Sequence, residues 1–366
     1  MVIRVVVVDD SEVCRSTLRE ILELDRDIRV VGEASDGSRA LDVIRRERPH
    51  LVTMDLQMPV ASGFDAIEEI MATFPVPILV VTGHSKRSGA AAFEAIRRGA
   101  LQLAEKPAPG RSSSANELRA QVRLLSKVPV VWHVAGARSK PRIRKSVSPR
   151  APSAAGHDAP APAGNRPSPA VAPLIVGVAA SAGGPGAIAT LLGQIATPYA
   201  GCIAVVQHLP KGFAASFVEF LKARTRLRVK LVTERAPREP GVVLVAPDDR
   251  HLVLSGKNEL SAVELPRVDG FRPSATVLFR SLADIIGAAA VGVILSGMGT
   301  DGAEGLVRMR KQGSLTIAQD EATSAVYGMP RAAVEAGAAE LVLPLGQIAA
   351  ALLQSGPARR ARSRYA

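Results

Sequence analysis

The stretch Leu174–Ile188, LIVGVAASAGGPGAI, decides how the second half of the chain is read. An apolar run enters Ala-Ala-Ser, then Ala-Gly-Gly-Pro-Gly, and a helical pattern follows. This is a strand, a sharp turn and a helix start. A dinucleotide loop would carry G-x-G-x-x-G after the strand, and a P-loop would end in Lys-Ser or Lys-Thr; neither order is present. G-x-S-x-G is missing too, so the usual hydrolase elbow does not apply. Local sequence leaves two readings of Ser181 open. One is a helix N-cap. The other is a nucleophile whose turn amides stabilise a developing oxyanion.

A nucleophilic serine needs a base, usually histidine. The chain has 6 His. His50 and His84 lie in the first half, and His133 and His157 in or beside a linker, which leaves His208 and His251. His208 directly follows the predicted strand CIAVVQ, so it shares a sheet edge with Ser181; His251 opens a predicted hairpin. Position favours His208. The orienting acid is Asp301, in the Gly-rich loop of VGVILSGMGTDGAEG, with Asp248, Asp249 and Asp320 as rivals.

Working outward, strands are predicted at 174–179, 202–207, 228–233, 242–246, 291–295, 314–318 and 340–343. Helices are predicted at 186–195, 213–223, 274–286, 303–312 and 329–335, with a hairpin at 252–263. The first half alternates likewise, with strands at 2–8, 28–33, 50–54, 77–82 and 101–104 and helices at 11–24, 37–46, 63–73, 87–98 and 116–127. Strand–helix alternation predicts the α/β class: two doubly wound, mostly parallel-sheet domains joined by a flexible Pro/Ala/Arg-rich linker. The expected division is 1–127, a largely disordered linker at 128–173, 174–355, and a basic disordered tail at 356–366. PVVWHVAGA at 129–137 fits either a strand or a docked part of the linker.

The 366 residues carry a net charge of +12. Ten of those charges lie outside the predicted domains, a net +6 between Gly136 and Ala170 and a net +4 in the tail. The basic balance therefore belongs to spacer segments, which read as solvated chain or as weak attachment to an acidic surface. No aromatic interleaves with the tail arginines, so base stacking is not suggested and nucleic acid is not an expected partner. Cys14 and Cys202 stand in different halves, make no disulfide framework or metal site, and are each expected to pack as small buried residues. No run of about 20 apolar residues occurs, and the N-terminus does not fit a signal peptide. The expectation is a cytoplasmic protein without membrane insertion.

Three strands of the first half end in polar residues: Asp9-Asp10, Asp55 and Thr82; a fourth ends just before Lys106. In open parallel sheets ligands gather beyond these ends. Crowded carboxylates call for a cation such as Mg²⁺, and an Asp beside it, with a hydroxyl and an ammonium nearby, suits phosphoryl acceptance.

VVVVDDS (5–11), VTMDLQMPVASGFDAI (52–67), VVTGHS (80–85) and AEKP (104–107) resemble the response-regulator receiver domain. The resemblance implies Asp55 as phosphoacceptor, and Asp9, Asp10, Asp55 and the Gln57 backbone carbonyl around Mg²⁺. It also implies Thr82 and Lys106 on the phosphoryl group. Leu103 stands where receivers usually carry an aromatic residue. AASAGGPGAI, VVQHLPKGF, GVVLVAPDDRHL, FRPSATVLFRSLA, LSGMGTDGAEG and QDEATSAVYGMPRAA resemble the catalytic domain of the chemotaxis-type protein-glutamate methylesterases over nearly all of 174–350. That resemblance implies Ser181 as nucleophile, His208 as base and Asp301 as orienting acid. Met298, Ala182 and Gly183 would support the oxyanion, and the esterase chemistry would need no cofactor. It further implies glutamyl methyl esters and certain glutamines of chemoreceptors as substrates, and a pathway histidine kinase as phosphodonor. Ala182 stands where the family has Thr, and Ala179 or its neighbour where it has Gly. Two rivals remain: a non-catalytic receiver protein that binds receptors or acts as a phosphate sink, and a nucleic-acid-binding response regulator.

Overall fold

A computed structural model of the chain describes residues 2–58, 62–83, 86–107, 112–128 and 174–354. The expectations for the linker, the 129–137 stretch, the tail and His84 lie outside the described residues.

The first sheet comprises β1 (Ile3–Val8), β2 (Ile28–Ala34), β3 (Leu51–Met54), β4 (Ile78–Thr82) and β5 (Gln102–Glu105). The order is β2-β1-β3-β4-β5, with every pairing parallel. The unbroken apolar runs Val5–Val8 and Ile78–Val81 follow from cover on both faces, and all eight residues are at most 1% exposed. The helices are α1 (Glu12–Glu23), α2 (Gly37–Glu47), α3 (Gly63–Thr73), α4 (Lys86–Arg97) and α5 (Ser112–Leu125). Ser11 and Asp36 cap the first two, accepting from the amides of Cys14 and Arg39. α5 begins four residues before its predicted start.

The second domain has a seven-stranded parallel sheet in the order β15-β14-β13-β6-β7-β10-β8. Its strands are β6 (Ile175–Ala180), β7 (Cys202–Gln207), β8 (Arg228–Leu231), β10 (Val242–Val245), β13 (Ala290–Ile294), β14 (Leu315–Gln319) and β15 (Leu341–Leu343). β6, the first in sequence, is central, so the strand order reverses around it and a crevice opens at its C-terminal end. The predicted hairpin is β11 (His251–Gly256) with β12 (Glu259–Val263); β9 (Arg235–Pro237) joins it in a small antiparallel sheet. The helices are α6 (Gly184–Gly193), α7 (Ala214–Lys222), α8 (Ala275–Ile285), α9 (Ala303–Lys311), α10 (Met329–Glu335) and α11 (Leu345–Gln354). β9 and α11 were not predicted.

The two domains share core. Phe93 of α4 packs between Phe217 and Phe220 of α7, with ring centroids 5.5 and 5.2 Å away, and is 1% exposed. Burying one such ring contributes about 1.5–3 kcal/mol. At the other end of the contact, Ala182 and Val326 join the apolar cluster of Leu118, Val122 and Leu125 on α5. The Gly183 amide donates to the Leu101 carbonyl of the first domain at 3.0 Å.

Candidate functional site

The Ser181 turn is set by two glycines with different causes. Gly183 has φ 72, the left-handed region that a side chain disfavours. At Gly184 a Cβ would meet the Gln207 Oε1 at 2.2 Å. α6 begins at Gly184 with Gly183 at the cap position and no side-chain cap bond. The helix-capping reading of Ser181 is thereby corrected: the cap lies two residues further on. Ser181 follows the central strand, its amide donating to the Ser296 carbonyl at 3.1 Å.

His208 follows the neighbouring β7, and its amide donates to the Ala180 carbonyl at 3.1 Å. Its Nε2 meets Asp301 Oδ2 at 2.9 Å. Nδ1 is buried without a hydrogen-bond partner, so it is the ring nitrogen left to accept a proton. Asp301 is fully buried, its charge met by the N-terminus of α8: Oδ1 accepts from Ser274 Oγ at 2.7 Å and the Thr276 amide at 3.0 Å, and Oδ2 from the Ala275 amide at 2.7 Å. Burial alone would raise its pKa; the bonds from His208, Ser274 and Ala275 outweigh it and hold the carboxyl well below the usual range.

The rivals fall elsewhere. His251 Nδ1 accepts from the Ser274 amide at 3.1 Å and its Nε2 lies 3.0 Å from the Pro266 carbonyl, so it buttresses the residue that holds Asp301. Burial lowers its pKa and keeps it neutral. Asp249 pairs with Arg272 and Arg267, Asp320 accepts from Thr323, and Asp248 approaches the Ala214 amide at 3.4 Å. Sequence reading missed Gln207. Its buried amide donates to the carbonyls of both Ser181, at 2.8 Å, and His208, at 3.0 Å. The one available signal was its place beside His208 at a strand end.

Among the described residues, the Ala182 and Met298 amides donate to no other group, whereas that of Gly183 is committed to Leu101. Of the three predicted oxyanion supports, Ala182 and Met298 are thus available in this arrangement and Gly183 is not. The site opens into a cavity of about 600 Å³ whose far wall is the first domain, including Glu105, Glu117, Leu118 and Gln121.

At the first domain's strand ends, one carboxylate oxygen from each of Asp9, Asp10 and Asp55 falls within 4.8 Å of the others. Asp9 and Asp55 are buried and Asp10 is exposed. Lys106 Nζ lies 2.7 Å from Asp9 and 2.8 Å from Asp55. Burial, partly offset by Lys106, raises the Asp9 pKa. A hard all-oxygen donor set with a surplus of negative charge fits a divalent cation such as Mg²⁺. Thr82 is 1% exposed at the end of β4, and exposed Gln57 follows Asp55, its amide 3.4 Å from Asp55 Oδ1. Cys202 is buried, its thiol pushed up to about 12 by burial. Cys14 corrects its expectation: it is half-buried on α1, its Sγ 4.0 Å from Lys106 Nζ. Leu103, at the aromatic position, is buried.

A buried His208–Asp301 pair beside the Ser181 turn, at the crevice of one parallel sheet and beneath a second domain with an acid-and-lysine pocket, fits a receiver-coupled hydrolase. The comparisons agree. Residues 176–352 match the CheB methylesterase family, and residues 5–119 the response regulator receiver domain. The protein-glutamate methylesterase/protein-glutamine glutaminase 2 of Anaeromyxobacter dehalogenans is 41% identical over 352 residues, 96% of each chain. That of Pseudomonas aeruginosa is 37% identical over the full length of both chains. The CheB methylesterase catalytic domain of Thermotoga maritima covers 50% of this chain and 99% of its own, at 31% identity and a TM-score of 0.48. The chain belongs to the CheB methylesterase family, with an N-terminal response-regulator receiver domain.

Proposed function

We propose that the protein is a phosphorylation-activated protein-glutamate methylesterase that also deamidates glutamines on chemoreceptors. Ser181 Oγ attacks the ester carbonyl while its proton passes to His208 Nδ1. Asp301, fixed on Nε2, stabilises the imidazolium that results. The Ala182 and Met298 amides receive the oxyanion. Collapse releases methanol with the proton from His208. Water, deprotonated by His208, then attacks the acyl-enzyme and restores the glutamate and Ser181. A glutamine follows the same path, with ammonia in place of methanol. Ala182 offers its backbone alone, so the family's hydroxyl at this position is not required by the route.

Residues 1–127 act as receiver, 128–173 as linker, 174–355 as catalytic domain and 356–366 as tail. Asp55 takes the phosphoryl group from the pathway's histidine kinase, in the cytoplasm. Asp9, Asp10, Asp55 and the Gln57 carbonyl would hold Mg²⁺, which supplies charge neutralisation at the phosphoryl oxygens. Lys106, now paired to Asp55, turns to the added oxygens, and Thr82 accompanies it. The covered cavity and the Leu101–Gly183 bond describe a closed arrangement, and phosphorylation shifts the population towards an open one. Among the described residues no helix is long and apolar enough to cross a membrane.

The observation that carries the reading is the 2.9 Å His208–Asp301 bond beside the Ser181 turn. A fluorophosphonate that acylates activated serines tests it. Labelling is expected at Ser181, faster with Mg²⁺ and acetyl phosphate, and lost in His208→Gln. Labelling spread over other serines, or unchanged in His208→Gln, contradicts it.

A further inference from the structure

Phe271 belongs to none of the roles above, yet its ring lies parallel to the His208 imidazole, centroids 4.0 Å apart and planes 5° apart. It is half-buried and forms part of the cavity wall. The backbone delivers it there by a tight turn. Val268 and Phe271 exchange both amide–carbonyl bonds, at 3.1 and 2.9 Å, while Asp269 and Gly270 between them have φ 51 and 83. Two central residues in the left-handed region make the hairpin turn for which Asp-Gly is suited.

The turn is clamped from outside. Asp249 Oδ1 accepts from Arg267 Nη2 at 3.1 Å on one arm and from Arg272 Nε at 3.0 Å on the other. Arg267 also donates to the Gly270 carbonyl at 3.1 Å, and Arg272 to that of Leu265 at 3.2 Å. One carboxylate thus holds both arms of the turn whose last residue covers the base.

We infer that Phe271 is a positioning residue for His208, held over the imidazole by the Asp249–Arg267–Arg272 clamp. The inference rests on the reading of His208 as base. The parallel ring fixes the imidazole plane, keeping Nε2 on Asp301 and Nδ1 without a competing partner. When His208 takes the serine proton it becomes a cation against an aromatic face, which attracts it. Other charged groups facing this space are Asp301, bonded to the ring, then Lys211, Asp248, Asp249, Asp269, Arg267 and Arg272 on the rim, and Glu105 and Glu117 of the receiver. None of these is altered by replacing Phe271.

The test uses the full chain, with His208 followed by NMR of ring-labelled histidine and assigned by its loss in His208→Gln. Phe271→Leu keeps an apolar side chain over the imidazole but removes the π face. It is expected to move the His208 midpoint to lower pH by roughly 0.3–1 unit and to lower kcat about 2- to 30-fold with KM little changed. The acid limb of the kcat/KM profile moves with it. Phe271→Tyr restores both. Asp249→Asn acts in the same direction, less strongly, and its effect shrinks in the Phe271→Leu background, where only the loss of its rim charge is left. An unmoved midpoint in a folded Phe271→Leu protein overturns the inference. Additive effects of Asp249→Asn and Phe271→Leu overturn the clamp. The titration needs no substrate, so a parent that releases no methanol would count against the proposed function while the shift still decides this point.

Discussion

The two strand-end sites use the same placement device and opposite electrostatics. In the receiver, Asp9, Asp10 and Asp55 crowd like charge around one lysine, with Asp10 and part of Lys106 open to solvent. In the catalytic domain a single carboxylate, Asp301, is fully buried and receives three bonds from the start of α8 besides the one to His208. The first site is left unbalanced, so an added phosphoryl group and cation change its contacts. The second is balanced in advance, so nothing need reorganise when the imidazolium forms. On the proposed function, control then falls on access, through the wall that α5 and β5 present to the cleft and the α4–α7 contact that holds it there.

The largest effects should separate the sites most cleanly. Ser181→Ala is expected to lower methanol release by about 10⁴-fold or more, and Asp301→Asn by roughly 10³- to 10⁴-fold. A mild Asp301→Asn effect would break the contrast, since the preset charge would then matter little. Next, Asp55→Asn should remove stimulation by acetyl phosphate, read as the ratio of rates with and without it. Phe93→Ala takes a ring from between Phe217 and Phe220, a change costing about 3–5 kcal/mol in a packed core. Part of that cost falls on the closed interface, so the unphosphorylated rate should rise several-fold while the melting temperature falls. An unchanged basal rate would show that the wall does not limit access.

Smaller effects sharpen the catalytic side. Gly184→Ala forces Gln207 off the Ser181 and His208 carbonyls and should lower kcat roughly tenfold. Gly186→Ala, where a Cβ meets nothing within 4 Å, should not. His251 gives the smallest effect. Its folded pKa is lowered by burial, so the unfolded chain binds the proton more readily. Its contribution to stability is complete above the unfolded value, about 6.5, and is lost as pH falls through the folded one. Melting temperatures from pH 7 to 5 should fall less steeply in His251→Asn than in the parent.

The strand–helix order was legible because both domains are runs of short apolar strands cut by turn residues, and the gathering of Ser181, His208 and Asp301 at one sheet edge was legible because each follows a strand. What stayed hidden acts across the fold. Gln207 and Ser274 work through main-chain and carboxylate contacts that no spacing encodes. Phe271 stood in a quoted motif, but its partner is 63 positions away in sequence. The helix at Leu345–Gln354 follows Pro344 as an Ala- and Leu-rich run, next to a tail of different character. Ser181 as a cap failed because Gly183, in the left-handed region, opens the helix instead.

The most direct measurement is methanol release from methylated chemoreceptor cytoplasmic fragments, with and without Mg²⁺ and acetyl phosphate, for the parent, Ser181→Ala and Asp55→Asn. The account predicts release by the parent, a higher rate with the phosphodonor, none from Ser181→Ala and no stimulation of Asp55→Asn. A phosphorylated parent that releases no methanol would contradict it and leave a receptor-binding protein on an esterase scaffold.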